Sequence, residues 1–91
     1  MGEMRRQTLE EAILALLAER STGKTICPSE AARAVGGPAW RDHMPLAREA
    51  AAALAAGERI DVLQKGEPVD ALEARGPIRL RLRPSRASAP L

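Results

Sequence analysis

A helix–glycine–strand junction at residues 54–60 (LAAGERI) is the feature that most constrains the fold. Before it, apolar residues recur at helical spacing, which predicts a helix over residues 46–56. After it, residues 60–64 (IDVLQ) have the composition of a strand. Gly57 is a typical helix stop, because glycine ends helices at little steric cost. The junction therefore predicts a domain in which a helix runs directly into a sheet.

The first helix is predicted over residues 9–19. Thr8 and Glu11 have the spacing of a capping box, in which each side chain satisfies a free backbone amide. Gly23 lies where the chain turns away from this helix. The apolar positions that would face the core follow helical spacing: Leu9, Ile13, Leu16 and Leu17.

A short β-prone segment at residues 25–27 precedes a second helix, predicted over residues 28–34. Pro28 suits the first turn, where its missing amide would have no helical partner. Residues 38–42 are predicted to form one short helical turn, with Trp40 anchoring the core between the second and third helices. The side chains predicted to face the core from the second helix are Ala31, Ala32 and Val35.

Residues 78–83 (IRLRLR) alternate strictly between apolar and charged side chains, which predicts a strand with one buried face. The intervening residues 65–77 are rich in glycine and proline and suit a wing. The fold class predicted is α+β, mainly α: a winged helix-turn-helix with three helices and a C-terminal β-hairpin wing. The domain would span residues 8–83, between a flexible N-terminus (residues 1–7) and a disordered tail (residues 84–91).

The sequence resembles a small bacterial domain-of-unknown-function family over residues 9–82. That family is similar to winged-helix proteins and has no assigned activity, so the resemblance implies the fold and leaves the function open. The segments that carry it are TICPSE (25–30), WR (40–41), MP (44–45), GERI (57–60), QKG (64–66) and RGPIR (75–79).

Composition excludes several classes of protein. Trp40 is the only aromatic residue, which argues against a sheet that stacks single-stranded RNA bases. Cys27 is the only cysteine, so no internal disulfide can form. No secretory segment and no apolar run long enough for a bilayer is evident, which predicts a cytoplasmic protein without membrane contact.

No catalytic constellation is evident, and we predict a protein without enzyme activity, cofactor, metal or small-molecule substrate. Cys27-Pro28 occurs in some haem-responsive sites, with His43 as a conceivable second ligand, but a half-buried cysteine packing at a strand end is the simpler interpretation. Ser29, Asp42 and His43 lack the turn that presents a hydrolase nucleophile.

The basic residues favour double-stranded DNA as a partner. Residues 75–91 hold five arginines and no acid, although the whole chain carries a net charge of only +2. In a winged helix the third helix enters the major groove and the wing contacts the flanking backbone. The candidate contacts are Arg41 and Arg48 near the third helix, Lys65 and Arg75 in the wing, and Arg79 and Arg81 on the final strand, where Arg83 extends the row.

A protein-interaction module, such as a homodimer, is the alternative. Residues 51–56 are almost all alanine, which cannot bond to bases but lets another helix approach closely. Glu49 would repel phosphate. Arginines on a strand also serve simply to keep an exposed edge from pairing with other chains, and a fold does not fix a function.

Overall fold

The computed structural model describes residues 4–20 and 23–83, and it confirms the α+β class. The predicted tail (residues 84–91) lies outside the described residues, as do residues 1–3. In chain order the elements are α1 (Arg6–Glu19), β1 (Thr25–Ile26), α2 (Pro28–Gly36), a 3₁₀ helix (Gly37–His43), α3 (Met44–Ala56), β2 (Ile60–Gln64), β3 (Glu67–Pro68) and β4 (Arg79–Leu82).

The four strands form one antiparallel sheet in the order β1-β4-β2-β3. The predicted pairing of residues 60–64 with residues 78–83 is confirmed, with Ile60 opposite Leu82 and Leu63 opposite Arg79. β1 pairs with the other edge of β4. β4 therefore lies inside the sheet, between β1 and β2.

The segment predicted as a simple wing loop contains a strand of its own. Lys65 and Gly66 both have positive φ angles, +53° and +83°, which is the backbone of a type I′ hairpin turn. This turn folds β3 back onto β2, pairing Leu63 with Pro68. A two-residue turn matches the twist of the strands, which explains why the chain reverses here so tightly.

The core lies between the sheet and the three α-helices. Five buried alanines, on α2 and α3, leave room for the helices to pack closely around larger side chains. Of the core positions predicted on α1, Leu16 is only half-buried. The largest fully buried side chains are Leu9, Ile13, Ile26, Ile60, Ile78 and Leu80.

The predicted cap of α1 is wrong. The helix begins at Arg6 after an N-cap residue, Arg5, whose side chain makes no capping bond. Thr8 lies inside the first turn, where Arg6 also pairs with Glu10 at 2.9 Å. The helix starts earlier because this i,i+4 pair supports an additional turn.

A capping box occurs at α2 instead. The backbone amide of Cys27 donates to Oε2 of Glu30 at 3.0 Å, while the Cys27 side chain faces the third amide of the helix. The thiol takes the place that serine or threonine usually holds. This local bonding fixes where α2 begins, one residue after β1.

Two apolar side chains are more exposed than their spacing predicts. Val35 is 36% exposed, because it lies in the last turn of α2 just before the chain turns away at Gly37 (φ +58°). Leu82 is 44% exposed at the end of β4. The core therefore ends at Ala32 on α2 and at Leu80 on β4.

Candidate nucleic-acid interface

The structure divides the predicted contact residues into two groups. The first group lies around the N-terminal half of α3, in the β2–β3 turn and in the connection between β3 and β4: Arg41, Arg48, Lys65 and Arg75. The second group lies on β4: Arg79 and Arg81.

Arg48 holds the connection between β3 and β4 against α3. Its Nη1 donates to the carbonyl oxygens of Ala71 at 3.2 Å and Ala74 at 2.8 Å, and its Nη2 donates to that of Gly76 at 2.5 Å. Ala71 is itself 2% exposed and belongs to the core. The guanidinium thus satisfies three carbonyls of a segment with little regular structure, and most of its donors point inward.

Hydrogen bonds from the Gln64 side chain hold the backbone of Arg75 next to the end of β2, where Lys65 follows. The Gln64 Nε2 group donates to the carbonyl oxygens of Arg75 at 2.5 Å and Pro77 at 3.2 Å. Lys65 follows Gln64 directly, and both Lys65 and Arg75 are exposed. Sequence analysis did not identify Gln64, because polar residues are common at strand ends. Its role becomes visible only through its hydrogen bonds to residues distant in the sequence.

The arginines of β4 are engaged with neighbouring strands. Arg79 donates through Nε to Oγ1 of Thr25 at 2.9 Å and through Nη2 to the Thr25 carbonyl at 3.1 Å. Arg81 pairs with Asp61, its neighbour across the sheet, at 2.9 Å, and Arg83 approaches the same carboxylate at 3.5 Å. Asp61 therefore neutralises part of the positive charge in the predicted row of Arg79, Arg81 and Arg83.

Trp40 is half-buried at the margin of the core, on the 3₁₀ helix. It packs against the core as predicted, but its ring also meets two arginines. The guanidinium carbon of Arg33 lies 4.4 Å from the ring centroid and that of Arg41 lies 4.5 Å from it. Arg33 was not among the predicted site residues. The sequence signal for Arg33 was its position a short distance before Trp40. That position brings the two side chains together only because the chain reverses at Gly37.

The solvent side of α3 is largely apolar. Pro45 and Glu49 are exposed there. Beside them a shallow cavity of about 420 Å³ lies between α3 and the β3–β4 connection. Leu72 closes its outer side and is 59% exposed. The cavity is lined by Met44, Pro45, Arg48, Glu49 and Leu72.

Cys27 is half-buried after β1, in the position predicted for a packing cysteine. Its Sγ lies 2.8 Å from Oγ of Ser29, so both side chains belong to the start of α2. Within residues 4–20 and 23–83, no group of three or more His, Cys, Asp or Glu side chains is arranged to hold a metal ion. The helices of this part of the chain are also too short or too polar to cross a bilayer.

Comparison with known proteins gives the chain a family but no activity. Among curated proteins, none matches this sequence. The family match begins at the first residue of α1 and ends one residue after β4, so it takes in every element described above. Over residues 6–83 the chain belongs to the family described as a protein of unknown function (DUF3253).

Proposed function

We propose that this DUF3253 domain is a winged-helix module, without enzyme activity, that binds the phosphate backbone of double-stranded DNA. The element order supports the fold: α1, β1, α2 and α3 precede β2 and β4, and β1, β4 and β2 are adjacent antiparallel strands. In such a fold α3 faces the major groove, and the chain between β2 and β4 forms the wing beside it. A DNA partner accords with the predicted cytoplasmic location.

The observation that carries the proposal is the shared position of Lys65 and Arg75. Gln64 ties the backbone at Arg75 to the end of β2, next to Lys65, and Arg48 fastens the adjoining residues to α3. Two exposed cations are thereby held beside the helix that would face DNA. Because their backbone is already ordered, binding a phosphate would cost little further conformational entropy.

The composition of α3 argues for backbone contact over base readout. Pro45 and the alanines of this helix offer no hydrogen bonds to base edges. The wing also carries Glu67, Asp70 and Glu73, which outnumber its two cations. We therefore expect binding that is weak, indifferent to sequence and steeply dependent on salt.

Fluorescence anisotropy with a labelled random duplex of about 20 base pairs, between about 50 and 200 mM salt, tests the proposal. Replacing Lys65 and Arg75 by glutamine should lower the slope of log K against log salt by about 1.8, because two phosphate contacts are lost. The matched control, Lys24→Gln with Arg59→Gln, removes two exposed charges elsewhere and should retain more of the affinity. Failure of the wild type to bind at low salt would overturn the proposal.

A homodimer is the second candidate, favoured by the exposure of Leu72 (59%) next to the apolar side of α3. Small residues such as Ala53 allow a helix from a second copy to approach closely. Light scattering over a range of protein concentrations would show a dimer that Leu72→Ser weakens. A monomer at all concentrations, with or without that substitution, would exclude this candidate.

A further inference from the structure

We infer that Arg33, Trp40 and Arg41 form a second phosphate-binding point, at α2 and the 3₁₀ helix that precedes α3. This inference rests on the proposed DNA binding and extends it to residues outside the wing. We call these three residues the tryptophan cluster. The ligand would be phosphates of one DNA strand.

The stacking in the tryptophan cluster leaves hydrogen-bond donors available. A guanidinium that lies over an aromatic ring uses its face, while its N–H groups point outward in its own plane. Within residues 4–20 and 23–83, the side chain of neither Arg33 nor Arg41 donates a hydrogen bond or forms an ion pair. Both are exposed. Each can therefore offer a planar pair of donors to a phosphate.

The cluster is also fixed in position. Trp40 packs against the core at its inner side, and the two arginines come from different elements, Arg33 from the last turn of α2 and Arg41 from the 3₁₀ helix. Contact with the rigid ring restricts two long side chains that would otherwise lose entropy on binding. Preorganisation of this kind raises affinity without new contacts.

The spacing suits a nucleic-acid strand. The two guanidinium carbons lie 4.4 and 4.5 Å from one ring centroid, so they are at most about 9 Å apart. Phosphates of one strand follow each other every 3.4 Å or so along the helix axis. The two arginines can therefore bind the same phosphate or phosphates close together on one strand.

The cluster and the wing are both attached to the N-terminal half of α3. The 3₁₀ helix that carries Trp40 runs directly into α3 at Met44, and Arg48, one turn further on, holds the wing. A duplex that meets the N-terminal half of α3 would be flanked by both. Two separated contacts on the backbone would fix the orientation of the domain, as phosphate contacts do in other DNA-binding proteins.

The test compares Arg33→Gln/Arg41→Gln with Arg5→Gln/Arg59→Gln, which removes two exposed arginines elsewhere. In the anisotropy titration, the cluster variant should bind duplex at least about tenfold more weakly, with a salt slope lower by about 1.8. The control pair should lose less than about threefold. Thermal unfolding of each variant verifies that it is folded.

Trp40 gives an independent readout, because it is the only aromatic residue in the chain. In the wild-type protein, saturating duplex should at least halve the quenching of its fluorescence by acrylamide, with a midpoint that matches the anisotropy curve. This measurement tests whether the duplex covers Trp40, even if the double variant does not fold. Arg33→Lys/Arg41→Lys keeps the charge but not the planar stacking and should bind with intermediate affinity.

Separate outcomes distinguish the two proposals. If wild-type protein binds duplex but Trp40 stays equally accessible and the cluster variant binds like the control pair, the tryptophan cluster is not a contact and the wing proposal stands. If the cluster variant loses affinity while Lys65→Gln/Arg75→Gln binds like wild type, the cluster stands and the wing proposal falls. Absence of any duplex binding overturns both.

Discussion

Two sets of arginines in this domain are held in contrasting ways. Arg79 and Arg81 on β4, like Arg48 on α3, direct their N–H groups to protein oxygens. The guanidinium groups of Arg33 and Arg41 lie over the ring of Trp40 and make no hydrogen bond or ion pair with residues 4–20 and 23–83. The first arrangement uses a guanidinium to build the fold, and the second fixes it in place while leaving it available to a ligand. A count of positive charges cannot separate the two.

The largest effect should come from Arg48→Met, which keeps an unbranched apolar stem but removes the hydrogen-bond donors. Three carbonyls of the β3–β4 connection then lose their partner, and we expect the free energy of unfolding to fall by about 2 kcal/mol. Amide hydrogen exchange around residues 71–76 should accelerate. Arg33→Met is the matched control and should cost about 0.5 kcal/mol, the value of an exposed cation–π contact. Equal losses in thermal or urea unfolding would contradict this contrast.

Asp61→Asn should release Arg81 and Arg83 from their ion pairs, so that both can bind phosphate. The carboxylate holds Arg81 at 2.9 Å and Arg83 at 3.5 Å. Without it we expect duplex binding to tighten by about threefold and the salt slope to steepen by about one. The free energy of unfolding should fall by less than about 1 kcal/mol, because both partners are partly exposed. Unchanged affinity would show that this face of the sheet does not meet DNA.

The smallest effect should follow Arg79→Gln. Its guanidinium is bonded twice to Thr25, so we expect duplex affinity to change by less than about twofold. Arg33→Gln, the same substitution in the tryptophan cluster, should weaken binding by several times more. Anisotropy titrations of the two single variants at one low salt concentration make the comparison directly. An equal loss of duplex affinity from both variants would show that an arginine bonded within the protein and one lying over Trp40 contribute alike to binding.

Most of the fold was predictable because its signals are local. The strict alternation of residues 78–83 indicated β4 and its pairing with β2, and the helical spacing on α1 and α3 indicated the core residues that these two helices contribute. The errors fall at element ends. Thr8 has the right spacing for a cap, yet the helix begins two residues before it, at Arg6. Val35 has core spacing, but the chain turns away before anything covers it.

From the sequence, the candidate site could be predicted only as a set of Lys and Arg residues, without the groups that they contact. Sequence analysis named Arg48 as a DNA contact, whereas its donors meet carbonyls at residues 71–76. It did not name Arg33, which reaches Trp40 across a chain reversal. In both cases the partner depends on how separate elements meet, and residue type does not encode that.

The sequence by itself determined the class of the domain, the pairing of β4 with β2 and the shortage of aromatic side chains that makes Trp40 distinctive. These follow from periodicity and composition, which act between near neighbours in the chain. Only the tertiary structure decided which arginines are engaged and which remain available. That choice depends on contacts between residues far apart in sequence, such as Arg48 with Gly76 and Arg79 with Thr25, which exist only after the helices and the sheet have packed.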